Sequence, residues 1–470
     1  MTSTQARPAS TPAGPGGAGQ SEEPGPAGQS GQSGRGLWHN HDFLKLWSGE
    51  TVAALGSQVT QLALPLLVLG ALGGSASEVG LVTAMQFLPA LCVTPFAGLV
   101  IDMLDRRLII LVANLVRAVA LAVVPVLYLT DSLGVPGLCV IAFVVGAGTA
   151  VFDVGYLAYL PALVPQKHLV DANSKLQGSY AVAQIGGSGV GGLLIKALGA
   201  WFAILANVVA YLAAFVAMLL IRHREPARDP QAASRPRLAD IVTSFGLLWR
   251  NRILRMLSLR AGWFNMCEQA ILTLFLVYAV KELHMDAGGV GFVLAFGSIA
   301  SLAGAAVAKR AGNRFGFPRI LILASSASSV APMLLLPTGT GIGTDAGTGW
   351  NFALATLTFA VYGFGLTIYN VHVVAFRQTV IPSDVLGRAT AAYRMLTYGP
   401  FPLGAFLGGV LGERLGLWNS LLVFAVASLA GWVLFVVACT RLPASEPEPE
   451  PEPVSESKSA SKSESKSASS

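Results

Sequence analysis

Four ionisable side chains lie inside otherwise apolar runs: Arg117 in NLVRAVALAVV, Asp153 in TAVFDVGYLAYL, Arg260 in RMLSLRAGW and Glu268 in WFNMCEQAILTL. A charge in such a setting is expensive to keep, so each is a candidate for function. Bond-making chemistry is not indicated. The chain carries no enzyme motif, no GxxxxGK[ST] loop to cradle a nucleotide phosphate, and no cluster of metal ligands. No cofactor is therefore expected. What isolated buried charges can do is hold a proton, hold an ion, or hold one another. Glu268 is the leading candidate for loading and releasing a proton, or for binding a cationic substrate. Its other reading is a carboxylate satisfied within its own helix bundle. Arg260, two turns away, can pair with Glu268 or with lipid. Arg117 and Asp153 can form a structural ion pair, or Asp153 can face a cavity. Among uncharged polar groups, Gln58, Gln61, Asn265, Gln269, Tyr369, Asn370 and His372 also interrupt apolar segments, where a helix–helix hydrogen bond is the commoner role.

A second constellation is PFAGLVIDMLDRR, residues 95–107, between two apolar runs. It gathers Gly98, Asp102, Asp105, Arg106 and Arg107 into one short turn at a membrane surface. Gly98 lets a neighbouring helix approach closely. Asp102 is an acid at a helix end, placed to accept hydrogen bonds from another helix's N-terminus. Arg106 and Arg107 can anchor the turn to anionic headgroups or to Asp105, or simply set topology.

The elements that must position these groups are membrane helices. Of 470 residues, 53% are hydrophobic and only 12% charged. The apolar runs are roughly 20 residues long, enough to cross a hydrocarbon core of ~30 Å. Helices satisfy their own backbone there, and the runs lack the alternation of a barrel. Twelve spans are expected in two sets of six, near residues 44–72, 79–101, 108–129, 135–163, 176–198, 201–221, 254–280, 290–308, 320–336, 352–376, 389–411 and 417–440. The fold class is thus an all-α membrane protein of two pseudo-symmetric six-helix bundles. Residues 1–42 and 442–470 are low-complexity tails, the first without the apolar core of a cleaved leader. The bundles occupy 43–222 and 253–441, joined by a polar linker at 223–252 with an amphipathic helical pattern. Cys92, Cys139, Cys267 and Cys439 fall in separate apolar segments and imply no disulfide framework.

Basic residues sort by side. Arg106, Arg107, Lys167, Lys175, Lys309, Arg310, Arg314, Arg319, Arg377 and Arg388 share a side with the N-terminus, whereas Lys196, Lys281 and Arg414 lie opposite. The positive-inside rule puts both termini in the cytoplasm. This distribution makes the net charge of +6 a membrane signal, and nucleic acid is not expected as a partner. The halves also repeat. Pro165 aligns with Pro382, Gly191-Gly192 with Gly408-Gly409 and Trp201 with Trp418, each pair 217 positions apart. Asp102 aligns with Asn313, and Arg107 with Arg319 after one inserted residue. Two equivalent bundles facing each other suit a secondary transporter with its site between them.

The chain resembles the major facilitator superfamily over roughly residues 43–441. The closest look is to the branch with the enterobactin exporter and the macrolide efflux proteins. The carrying stretches are FLKLW and LGSQVTQLALPLLV, then GLVTAMQFLPALCVTPFAGLVIDMLDRR with Arg117-Ala118 ten residues on, then LPALVP and DANS before a glycine-rich fifth helix. The resemblance implies that the turn with Asp102 is a cytoplasmic gate latch. It implies that the first, fourth, seventh and tenth helices line a central cavity, which would receive many of the polar residues above. Arg394, near the cytoplasmic end of the eleventh span, would serve the gate. GGSGVGG, with Gly187, Gly191 and Gly192, looks like the antiporter signature of proton-coupled exporters, with Ser188 where that signature has proline. The implied function is proton-coupled export of a small amphiphilic molecule, a drug or antibiotic, across the plasma membrane by a monomer in the lipid bilayer. A siderophore exporter and a non-transporting membrane sensor or scaffold are the alternatives.

Overall fold

The computed structural model describes residues 37, 40–94, 96, 105–222, 245–246, 248–339, 347–381 and 386–440. The chain runs α1 His41–Gly70, α2 Ala76–Cys92, α3 Arg106–Leu129, α4 Val135–Leu163, α5 Leu169–Leu198, α6 Ala200–Leu219, α7 Arg252–Lys281, α8 Ala287–Phe315, α9 Phe317–Val330 continuing as a 3-10 segment Ala331–Gly339, α10 Gly347–Val380, α11 Leu386–Tyr398, α12 Phe401–Leu415 and α13 Leu417–Thr440. Ten helical segments are long and apolar enough to cross a membrane, and Ala76–Cys92 is a shorter apolar helix. The expected eleventh span is broken: α11 and α12 are separated at Gly399-Pro400. Proline has no N–H to give to the carbonyl four residues back, so the helix stops and restarts there. Gly98, Asp102, most of the linker's amphipathic pattern, most of the N-terminal tail and the whole C-terminal tail lie outside the described residues, and α1 begins at His41, inside the stretch expected to be tail.

Helix starts follow local capping chemistry. Ser75 and Glu78 form a reciprocal capping box at α2, Asp105 caps α3, Asn251 caps α7 and Asp286 caps α8. Gly199, Gly316 and Gly416 each turn the chain between adjacent helices with φ between 74° and 88°, a region that favours glycine. Large apolar side chains such as Val119, Leu129 and Leu434 cover the outer surface, as lipid contact requires.

We call the face where α1 begins the near face, and the opposite one the far face. The packing differs between them. Toward the far face, one continuous apolar core joins both halves, from Leu62–Leu69 and Val79 through Leu274–Ala279 and Val290 to Phe424. Toward the near face that core divides. Leu46, Ile110, Phe152, Tyr159 and Met218 form a cluster within the N-terminal half. Leu254, Ile320, Tyr369, Ala389 and Phe435 form another within the C-terminal half. The halves are therefore fused at the far face and parted at the near face. The parting runs between α4 and α5 on one side and α10 and α11 on the other, and the two sides do not pack extensively on one another.

Candidate functional site

The parted region holds polar groups from both halves. Asp153 on α4 is exposed although it sits within an apolar helix. It lies within electrostatic reach of Arg117 in its own half and of exposed Arg394 on α11 in the other. Tyr180 on α5 bonds to the Gln58 side chain and faces both Asp153 and Tyr398 of α11. Asn370 on α10 stands 217 positions after Asp153 and is likewise exposed. Deeper in, Phe87 of α2 meets Phe401 edge-on at 5.5 Å, and Tyr398 meets Phe401 in the same way at 5.3 Å. The lining thus mixes a carboxylate, a guanidinium, amides and aromatic rings. That set suits an amphiphilic organic solute better than a bare ion.

Behind this lining, each half buries an arginine among aromatic rings. The Arg117 guanidinium lies 4.3 Å from the Phe152 ring centroid and 4.3 Å from that of Tyr211, and it donates to Asn114. Its stem lies against Gly148, where an added Cβ would approach the Arg117 Cγ to 2.7 Å. Arg260 lies 4.0 Å from the Tyr369 centroid and 4.7 Å from that of Phe264. Phe152 and Tyr369 are again 217 positions apart. Flat cations between ring faces are held by the ring quadrupoles and exclude water. Each arginine also has a carboxylate within electrostatic reach: Glu50 on α1 for Arg117, and Glu268 for Arg260.

Glu268 is placed among α7, α9, α10 and α13. It accepts the Tyr362 hydroxyl hydrogen and lines a cavity of about 50 Å³ with Phe264, Ser328, Thr358 and Phe359. That position is inside the C-terminal half. Asn265 donates to the Thr397 carbonyl oxygen at 2.8 Å, a carbonyl at the α11–α12 break. Gln61 is exposed on α1, Gln269 is buried on α7, and His372 bonds its own helix at Ile368 and packs against Gly312. Arg377, counted above only as a surface charge, is buried with its guanidinium 3.8 Å from the Tyr393 centroid.

Of the near-face turn, Asp105 caps α3 through the Arg107 amide. Arg106 donates to the Ala158 carbonyl at 2.7 Å and Arg107 to the Leu219 carbonyl at 3.0 Å, so both tie the C-terminal ends of α4 and α6 to α3. Cations at helix C-termini meet the negative end of the dipole. Gly187 and Gly191 press α5 onto α1 at Gln58 and Val59, whereas Gly192 faces the other half at Ala287 and Gly291. Ser188 bonds the Gln184 carbonyl at 2.7 Å, and α5 runs through unbroken.

Glu50, Tyr180 and Tyr398 were not singled out above. Glu50 follows KLWSG near a helix start, where an acid is ordinary, and the tyrosines look like any aromatic on an apolar helix.

The Major Facilitator Superfamily model matches residues 46–401. The chain belongs to that superfamily. It is 26% identical over 390 residues to the multidrug efflux pump Tap of Mycolicibacterium fortuitum, covering 80% of this chain and 90% of that protein. It is 22% identical over 376 residues to macrolide efflux protein A of Streptococcus pyogenes, with 80% and 90% covered. Among solved structures, a bacterial homologue of the iron transporter ferroportin in an inward-facing state superposes with a TM-score of 0.66 at 16% identity, covering 87% of this chain and 100% of that one. The nucleoside transporter NupG gives 0.63 at 14%, covering 86% and 100%. These structural likenesses show the facilitator fold. The chain is a multi-pass membrane protein of that superfamily.

Proposed function

We propose that this facilitator is a secondary active exporter in the cell membrane, moving a small amphiphilic drug-like molecule outward by alternating access in exchange for protons. The observation that carries the reading is the alignment with two named efflux pumps over nine-tenths of their length, joined to exposed polar groups of both halves that face one another, Asp153 with Arg394 and Tyr180 with Tyr398. With the near face cytoplasmic, as its excess of Arg and Lys supports, the open cavity is the loading state.

Asp153 carries the coupling proton in this reading. It is the carboxylate that faces the cavity, and it shares Arg117 with Glu50 and faces Arg394 across the cavity. Two carboxylates around one buried guanidinium leave room for one proton without an uncompensated charge. Tyr180, Tyr398, Gln58 and Asn370 supply stacking and hydrogen bonds to the solute. Glu268 and Tyr362 form a second acid site within the C-terminal half.

The test is retention of a panel of dyes, macrolides and siderophores in an efflux-deficient host, with and without a protonophore. Wild type is expected to lower retention of at least one compound, with the protonophore restoring it. Asp153→Asn is expected to abolish export, and Glu268→Gln to reduce it. Export untouched by the protonophore removes proton coupling. Export that survives Asp153→Asn but not Glu268→Gln moves the coupling site into the C-terminal half. A panel left wholly unmoved by protein that reaches the membrane overturns the drug-exporter reading.

A further inference from the structure

The far face carries three Lys or Arg residues among the described residues: Lys196, Lys281 and Arg414. Two of the three bridge the halves. Lys196, at the end of α5, pairs with Asp286, the N-cap of α8, at 2.7 Å. Lys281, at the end of α7, donates to the Gly74 carbonyl, just before α2, at 2.8 Å. On that same flank Glu413, near the end of α12, takes the hydroxyls of Ser77 and Ser75.

The two flanks are related by the repeat. Lys196 and Glu413 stand 217 positions apart, and Ser75 and Asp286 stand 211 apart. Beneath each rim, glycines bring helices to backbone contact. A Cβ on Gly192 would lie 2.5 Å from the Ala287 carbonyl and 2.8 Å from the Gly291 Cα. A Cβ on Gly409 would lie 2.5 Å from the Ala76 carbonyl and 2.9 Å from the Gly80 Cα. Gly288 leaves room for the Lys196 stem, whose Cδ an added Cβ would meet at 3.1 Å. Bare backbones fit closely but carry no side chain to hold the fit. The polar rim supplies the hold.

We propose that Lys196 and Lys281 are the latch residues of the far-face gate, one on each flank, and that releasing them biases the protein toward the state open on that face. Exposed pairs of this kind hold weakly, which suits a contact broken in every cycle: each is expected to shift the open-to-closed ratio about two- to fivefold. The proposal rests on the alternating-access reading above. Its test reads conformation without substrate, so an error in the solute would leave it standing.

The experiment uses the full chain in nanodiscs with its four cysteines replaced. Spin labels at Ser132→Cys and Asn419→Cys report the far face, and labels at Asn173→Cys and Lys309→Cys report the near face. Lys196→Gln, Asp286→Asn and Lys281→Gln are each expected to raise the long-distance far-face population about two- to fivefold, with a matching rise in the short-distance near-face population. Asp286→Glu, which keeps the charge and a side-chain acceptor at the head of α8, is expected to leave the distribution near that of the parent. Arg414→Gln, outside both bridges, is expected to change nothing. Unchanged distributions in Lys196→Gln and Lys281→Gln overturn the proposal. So does lowered thermal stability with no change in distances, or an Asp286→Glu variant that opens as far as Asp286→Asn.

Discussion

The Asn265 side chain reaches from α7 to donate a 2.8 Å hydrogen bond to the Thr397 carbonyl oxygen at the break between α11 and α12. Beside it, Gly262 brings α7 against the Leu396 carbonyl, which Pro400 deprives of its helical donor. Of the two roles expected for Asn265, cavity lining and a helix–helix hydrogen bond, the second is the one seen here, and it splints an interrupted helix. Asn265→Leu is expected to lower stability by about 1–2 kcal/mol, the cost of leaving a buried acceptor unpaired. Thermal unfolding in detergent checks this. In a Pro400→Ala background the loss should shrink, because a continuous helix would satisfy its own carbonyls.

Arg117 offers a charge-balance test. Its removal leaves Glu50 and Asp153 without their shared cation. Arg117→Gln is expected to destabilise the N-terminal half by a few kcal/mol, and adding Glu50→Gln should recover much of that. Arg117→Lys keeps the charge but cannot stack flat between Phe152 and Tyr211, so about 1–2 kcal/mol should still be lost. Yield of folded protein and its melting temperature separate the three variants.

Backbone contact at the far face predicts a steric result. Gly192→Val would press a side chain into the Ala287 carbonyl and should prevent closure there, with export reduced at least tenfold. Gly178→Ala, on the same helix with nothing within 4 Å of the added atom, should export normally. Retention assays on matched membrane amounts distinguish them.

Much of this architecture was legible in the chain. Apolar run length marks the helices because hydrocarbon leaves few other structures, and the repeat spacing of 217 pairs Asp153 with Asn370 and Lys196 with Glu413 without any coordinates. The partners of those residues were not legible. Arg260 finds Tyr369 and Phe435, and Lys196 finds Asp286, across separations that only packing closes. Lys196 and Lys281 entered the topology argument as exceptions, because a charge count does not see hydrogen bonds. Glu50 passed unnoticed because its significance comes from Arg117 on another helix.

The ion pair at the far face has a defined response to acid. The Lys196 hydrogen bond, helped by the Gly289 amide, holds the Asp286 carboxyl below the usual carboxylate range. A lowered value means the clasped state prefers the ionised acid. Its contribution is complete above the ordinary carboxylate pKa of about 4 and fades as pH falls through the lowered value. The Lys196–Asp286 clasp should therefore add no pH dependence to the far-face distance populations from pH ~5 to ~8. A midpoint near neutrality would assign the response to a different group.

One helix in each half occupies the same place in the repeat, yet α5 is a single rod of 30 residues, with Ser188 bonded back to Gln184, while its counterpart is cut at Gly399-Pro400 into α11 and α12. A rod and a jointed arm of similar length do not bend alike under load. Motion at one face is transmitted stiffly along α5 but can be absorbed at the joint. The halves match in shape and differ in compliance, so a chimera made of two N-terminal halves would be a symmetric machine without an elbow.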